Sequence, residues 1–331
     1  MQKIKARIVG MGAYLPKRIF KNEEFESMVE TSDEWIVTRT GIKERRVAAD
    51  NEFTSDMGFQ AAKEALEKAK MTASEIDLII MATMSPDYIS SSSAAIVQSL
   101  LDIPNTPAFD IQAACSGFLY ALSTAKAYVE SGMYKNILVI CSEKMSTYID
   151  YSDRTTCILF GDGAGAAVVS NKGEGLAIDT IAVGADGKGA SLISIPAGGV
   201  RSPATPQTVA EKMHYIRMEG KEVFKFAVRQ MMASAKKCLE DAGLTEGDVR
   251  WLVPHQANIR IMEAILKGFE IPNERMYQTI HKYGNTSASS IPIALSELTS
   301  NHSLLPNEHI LLVAFGAGFT WGAAILTKIE G

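Results

Sequence analysis

The stretch AKEALEKAKMTASEIDLII (residues 62–80) is read again, without a gap, as AKKCLEDAGLTEGDVRWLV (residues 235–253), an offset of 173 residues (235 − 62) in a chain of 331. Identities fall at the Ala-Lys start, at Leu66/Leu239, at Ala69/Ala242 and at Thr72/Thr245, and both copies end in an apolar run. In each copy apolar residues at helical spacing give way to a short turn and then to a continuous apolar stretch of strand length. Each therefore predicts amphipathic helix, turn and buried strand. An offset of about half the chain predicts a duplicated unit, with halves at 1–175 and 176–331. Functional groups are then expected where the halves meet, because ligand sites favour such interfaces.

Working outward, strand-like runs at 77–83, 136–142, 250–254 and 309–315 alternate with helical patterns at 56–69 and 223–242, which places the chain in the α/β class. The segment AGGVRSPATPQTV (197–209) has the composition of an exposed loop. With 47% hydrophobic and 21% charged residues, disorder and coiled coil are excluded. A net charge of −5 lacks the basic footprint of a nucleic-acid binder, so no nucleic-acid partner is expected. No apolar run approaches the roughly 20 residues that span a bilayer, and MQKIKARIVGMG carries charges where a signal peptide has its apolar region. The expectation is a cytoplasmic chain with no membrane partner. The four cysteines are scattered, with no C-x-x-C pair and no histidine at ligand spacing, so neither a metal site nor a disulfide framework is expected.

Among those cysteines, Cys115 differs from the rest. FDIQAACSGFLYALSTAKAYVESG reads as a short strand, small residues, the thiol and then a helix with apolar positions Phe118, Leu119, Leu122 and Ala125. A thiol at a strand-to-helix turn faces free backbone N–H groups and the positive end of the helix dipole, which favour thiolate. Cys141, Cys157 and Cys238 lie in strand or helix patterns and read as core thiols. Of five histidines, His255 in WLVPHQAN directly follows a buried strand, a usual place for a catalytic side chain; the other four read as solvated. Thirty residues on, HKYGNTSASSIP sets Asn285 at the start of a helix, where it also suits an N-cap. Gly10 and Gly12 lack the third glycine of a dinucleotide loop, since Leu15 holds that place. FGDGAGAAVV (160–169) precedes a strand rather than a phosphate-binding helix, and FGAGFTWGAAI (315–325) offers backbone N–H groups to a developing oxyanion.

In order along the chain, TSDEWIVTRTGIKERR (31–46), AACSGF, FGDGAGA, PHQANIRI, GNTSA and FGAGFTWG resemble the β-ketoacyl-acyl-carrier-protein synthase III family of the thiolase-like superfamily. The resemblance implies a five-layered αβαβα fold built from two similar halves. It also implies an acyl-CoA primer condensed with malonyl-acyl carrier protein by a homodimer that initiates fatty acid synthesis. No cofactor is implied, the CoA thioester being a substrate. By the same resemblance Cys115, His255 and Asn285 are catalytic, and the backbone N–H groups of Cys115 and Ala317 form the oxyanion hole. CoA would meet Thr31, Trp35, Arg39, Arg154, Gly220, Phe224 and Asn258, and the carrier protein Lys225, Gln256 and Arg260, with Lys267 nearby.

Two departures from the family pattern bear on specificity. The run Ile89-Ser90-Ser91-Ser92-Ser93 replaces a proline and a bulky residue, which suggests a roomier primer pocket at Ser91, and the 197–216 loop is longer than usual. Three other readings stand beside the leading one. They are a related condensing enzyme of secondary metabolism with an unusual primer, a cysteine thioester hydrolase, and an acyl-CoA-binding scaffold with a vestigial site.

Overall fold

The computed structural model describes residues 5–269 and 271–330. The chain runs β1 (Arg7–Tyr14), β2 (Arg18–Lys21), α1 (Asp33–Thr40), β3 (Glu44–Val47), α2 (Thr54–Ala69), β4 (Leu78–Ala82), α3 (Ser93–Leu100) and β5 (Ala108–Ile111). It continues through α4 (Gly117–Glu130), β6 (Asn136–Glu143), β7 (Gly163–Ser170), β8 (Gly175–Ala185), β9 (Ile193–Ser194), α5 (Pro206–Ala210), β10 (Arg217–Met218) and α6 (Gly220–Ala242). It ends with β11 (Val249–Pro254), α7 (Ile259–Gly268), α8 (Ile280–Tyr283), α9 (Ser290–Asn301), β12 (His309–Gly316) and β13 (Thr320–Ile329). The long apolar runs of the sequence become β4, β6, β11 and β12, each buried over nearly its whole length.

Nine strands join in the order β11-β12-β13-β8-β1-β7-β6-β4-β5. Within the block β1-β7-β6-β4-β5, β4 is parallel to β5 and β6 while β7 is antiparallel to both neighbours. The block β8-β13-β12-β11 repeats that pattern, and among the described residues the blocks pair where Arg7 and Ile8 face Ala177 and Leu176. Helix α2 packs on β1, β6 and β7, and α6 on β8, β12 and β13. Helices α4 and α9 lie between the blocks, each touching strands of both. Five layers result: outer helices, first block, central helices, second block, outer helices. This is the thiolase-like αβαβα architecture.

The repeated stretch adopts one local structure twice. Helices α2 and α6 end on left-handed Lys70 (φ 54°) and Gly243 (φ 68°). Each is followed by a capping box, in which Glu75 accepts from Thr72 N–H at 2.9 Å and Asp248 from Thr245 N–H at 2.8 Å. The same offset reaches further than the sequence identities do. Single 3-10 turns at Ala114–Ser116 and Ser287–Ser289 open on left-handed Ala114 (φ 45°) and Ser287 (φ 51°) and lead straight into α4 and α9.

Close packing explains the glycines of β1. A Cβ on Gly10 would lie 2.3 Å from Ala65 O, and one on Gly12 would lie 2.2 Å from Ala61 O, so α2 rests directly on the strand. At the centre, a Cβ on Gly117 would meet Cβ atoms of Ala82 and Ala288 at 2.9 and 3.1 Å, which lets α4 and its turn approach the other turn. The segment expected to be a plain loop contains α5, started by the Thr205 cap and Pro206 in the first turn. Of the remaining histidines His302 is exposed, as its context suggests, with its ring 4.8 Å from that of Trp251, whereas His214, His281 and His309 are half-buried, and His309 bonds Thr327 at 2.7 Å.

Candidate active site

Three chain segments bring their polar groups to one cleft of about 550 Å³. Cys115 stands in the turn before α4, His255 just beyond β11, and Asn285 ahead of the turn into α9; all three line the cleft. Cys115 is half-buried, whereas His255 and Asn285 are buried, so the cleft narrows toward a nearly dry end. Cys141, Cys157 and Cys238 are free and buried in the core.

The helix N-terminus by itself favours thiolate at Cys115. Burial instead pushes its thiol up to about 12, the nearby Glu143 carboxylate adds to the shift, and the Ser287 hydroxyl opposes it. The thiol donates to Ser287 Oγ at 3.6 Å. At rest it is neutral, because loss of solvent outweighs the N-terminal field of α4.

Burial also holds the His255 imidazole down to about 3, so the ring is neutral across the physiological range. Its Nδ1 lies 2.7 Å from Ser290 Oγ. That hydroxyl also accepts from Gln256 N–H at 3.3 Å, and when its own proton is given to Nδ1 the ring proton sits on Nε2. Nε2–H is then a donor toward the cleft.

Asn285 is fixed from both ends. Its N–H donates to Leu159 O at 2.8 Å, Gly161 N–H donates to its carbonyl at 3.1 Å, and its Oδ1 accepts from Ser287 N–H at 2.8 Å. With Oδ1 engaged, the amide presents its NH2 donor. The dry end thus offers one neutral nucleophile and two neutral donors, a set suited to negative charge developing on a thioester oxygen.

Ala317 lines the same end. Thr320 Oγ1 donates to Ala113 O at 2.8 Å and to Ala317 O at 3.1 Å, tying the two backbone segments together. A Cβ on Gly316 would stand 2.7 Å from Cys115 N, so this glycine permits the approach.

Toward solvent the cleft is lined by Trp35, Arg39, Arg154, Gly220, Phe224, Asn258 and Arg260. The Arg154 and Arg39 guanidinium carbons lie 5.0 and 5.4 Å from the Trp35 ring centroid. Asn258 caps α7 with its oxygen, accepting from Arg260 N–H at 2.9 Å, which leaves its NH2 group for the cleft. Lys221, which the sequence reading passed over, joins the lining; only its place beside Gly220 signals it. Among the described residues, the lining holds four cationic side chains and no carboxylate, although the chain is net acidic.

Three expected contacts lie elsewhere. Thr31 is outside the lining, and its buried Oγ1 has no hydrogen-bond partner among the described residues. Lys225 is on the exposed face of α6, paired with Glu222 at 2.9 Å. Gln256 corrects the sequence reading. It is 1% exposed, its Nε2 donates to Pro254 O at 2.7 Å, and its Oε1 accepts from Thr279 and Ile280 N–H. Its amide is spent pinning α8 to the strand end beside His255, so it is not on a carrier-protein surface.

Among the described residues, no cluster of three or more His, Cys, Asp or Glu side chains is arranged to hold a metal, and no helix is long and apolar enough to cross a membrane. Profiles of 3-oxoacyl-[acyl-carrier-protein] synthase III and of its C-terminal part match residues 109–187 and 239–328. The chain is similar to the β-ketoacyl-[acyl-carrier-protein] synthase III of Chlamydia caviae, with 56% identity over 99% of this chain and 98% of that protein. The crystal structure of 3-oxoacyl-[acyl-carrier-protein] synthase III from Aquifex aeolicus is 45% identical, with a TM-score of 0.89 over 98% of this chain and all of that one. The priming β-ketosynthase of the R1128 polyketide pathway is 34% identical, with a TM-score of 0.90 over 99% of this chain and 97% of that one. Fold similarity does not separate these two structures, whereas sequence identity favours the former. The chain belongs to the β-ketoacyl-acyl-carrier-protein synthase III family, the condensing acyltransferases that initiate fatty acid synthesis.

Proposed function

We propose that the chain condenses a short acyl-CoA primer with malonyl-acyl carrier protein, Cys115 carrying the acyl group and His255 with Asn285 handling the malonyl thioester. The observation that carries this reading is the single cleft that joins a cationic, carboxylate-free rim to a dry end holding thiol, imidazole and amide. The rim suits the phosphates of CoA and of a carrier-protein arm.

In the first half-reaction the Cys115 sulfur attacks the thioester carbon, the backbone N–H groups of Cys115 and Ala317 bind the tetrahedral oxyanion, and CoA leaves. In the second, Nε2–H of His255 and the NH2 of Asn285 hydrogen-bond the malonyl thioester oxygen, carbon dioxide departs, and the carbanion attacks the acyl group. Ping-pong kinetics follow. Trp35 and Arg154 are in direct contact, so an adenine entering between them parts them by about one ring thickness, ~3.5 Å.

Neither chemical step needs a redox or metal centre, so the enzyme works without a cofactor, and its place is the cytoplasm. Halves at 1–175 and 176–331 divide the labour, the thiol in one and the donors in the other. Arg260 and Lys267 on α7, with Lys225 on α6, form the carrier-protein face. Tyr88 and Ile89, 62% and 96% exposed, make an apolar tip that a second copy would cover, next to the Ser91 position that widens the primer pocket. Incubation with a panel of acyl-CoAs followed by intact-mass analysis tests the reading. One acyl group on Cys115, absent in Cys115→Ala and lost with carbon dioxide release when malonyl-acyl carrier protein is added, is expected. Release of free acid without malonyl-dependent carbon dioxide would overturn it in favour of a hydrolase.

A further inference from the structure

Glu143 ends β6 inside the molecule and has no part in the mechanism above. Its Oε2 is saturated: it accepts from Ser85 Oγ at 2.6 Å, from Ser85 N–H at 3.2 Å, and from Thr83 Oγ1 and Met84 N–H at 3.1 Å each. Oε1 has only Met84 N–H at 3.3 Å. Ser287, whose turn packs against β6, accepts from Cys115 Sγ at 3.6 Å and brings its hydroxyl beside this carboxyl, whose pKa it lowers. Cys115 S–H, the Ser287 hydroxyl and the under-occupied Oε1 side of the Glu143 carboxyl thus stand in series. The titratable groups facing Glu143 are Cys115 across the turn, Cys141 on β6 itself and Tyr148 in the turn after it.

We propose that Glu143, acting through the Ser287 hydroxyl, takes up the Cys115 thiol proton during acyl transfer and returns it to the Cys115 sulfur when the condensation product leaves. The proposal rests on Cys115 being the acyl carrier.

Proton and electron pair balance over the cycle. The thiol proton passes to Ser287 Oγ while the Ser287 proton passes to the carboxylate, and the sulfur pair forms the new thioester bond. CoA leaves as thiolate and takes a proton from solvent. In the second half-reaction the malonyl carboxylate leaves as carbon dioxide, its electron pair forms the carbon–carbon bond, and the Cys115–acyl bond pair returns to sulfur. Glu143 then returns the stored proton through Ser287. One solvent proton is consumed per turnover, the one found on CoA.

Physical chemistry favours this arrangement. A buried carboxylate and a buried thiolate joined by one hydroxyl repel each other, so the pair holds a single negative charge and shares one proton. Burial raises the Glu143 carboxyl to about 7, which leaves it an acceptor at neutral pH and a ready donor afterwards.

The test measures Cys115 acetylation by acetyl-CoA, with intact-mass sampling across pH, in the full chain and in Ser287→Ala, Glu143→Gln and Glu143→Asp. Unmodified protein should acylate more slowly as pH falls through about 7, where Glu143 becomes protonated. Ser287→Ala and Glu143→Gln should be about 100-fold slower at neutral pH and lack that inflection, and Glu143→Asp should recover it in part. Ser287→Ala removes only a hydroxyl, so it remains informative if Glu143→Gln fails to fold. A Ser287→Ala protein that acylates at the unmodified rate, or keeps the inflection, overturns the relay alone. Failure of the unmodified protein to acylate at Cys115 overturns the condensing role and the relay together.

Discussion

At the residue scale, neutrality is the common property of the site: burial keeps the thiol protonated and the imidazole uncharged. His255→Ala and Asn285→Ala each remove one donor to the malonyl thioester, so malonyl-dependent carbon dioxide release from pre-acylated protein should fall by about 10²–10³-fold while acylation stays largely intact. Equal loss of both half-reactions in Asn285→Ala would contradict the division of roles. Burial also makes the site pH-sensitive in stability, with opposite signs for two groups. His255 is held at about 3 in the folded chain against 6.5 ordinarily, so the unfolded chain binds more protons between those values and stability is lost as pH falls. Glu143, raised to about 7 from 4.5, contributes the reverse slope between those values. The two oppose each other above pH 4.5, and below it only the histidine acts. His255→Gln should therefore lose less stability than the unmodified protein between pH 4.5 and 3, read from urea midpoints.

At the element scale, the site depends on backbone approach as much as on side chains. Gly316→Ala would push a methyl to 2.7 Å from Cys115 N and displace one edge of the oxyanion site. Acylation should drop by about 10²-fold or more, with a shift in thermal midpoint to match about 1–3 kcal/mol of overpacking. An acylation rate equal to that of the unmodified protein would show that the two segments need not touch. Much of this framework was legible beforehand, because β4, β6, β11 and β12 are continuous apolar runs and α2 and α6 have wide apolar faces. Helix α1, which carries Trp35 and Arg39, buries only Ile36 and Thr40 and leaves no such stripe to read. Cys115 was legible from its place before a helix. Glu143 and Ser287 were not, since their partners lie 58 to 60 and 172 residues away in sequence. The expected thiolate failed for the same reason: a local helix-end argument knows nothing of the carboxylate and apolar walls that the rest of the chain supplies.

At the scale of the whole molecule, the central helices make the two halves interdependent. Helix α4 packs on β8 and β13 as well as on its own strands, and Leu119 lies against Gly322. A fragment of residues 1–175 should give no cooperative urea transition, because one face of α4 would be bare; a sharp two-state transition would refute this. Ile89→Asp at this exposed position should convert the proposed dimer to a monomer on size-exclusion chromatography, and an unchanged elution volume would count against an Ile89 contact between copies. The placement of β1 also bears on biosynthesis. Strand β1, which is made before every other described strand, sits in the middle of the sheet, and its partners are residues 164–170 and 176–177. At roughly 5–20 residues per second it waits roughly 10–30 s for them, with Ile8 and Met11 uncovered. The nascent chain therefore passes through a long interval in which a strand destined for the centre of the enzyme has nothing to pair with, and that interval is when a cell's chaperones have most to do.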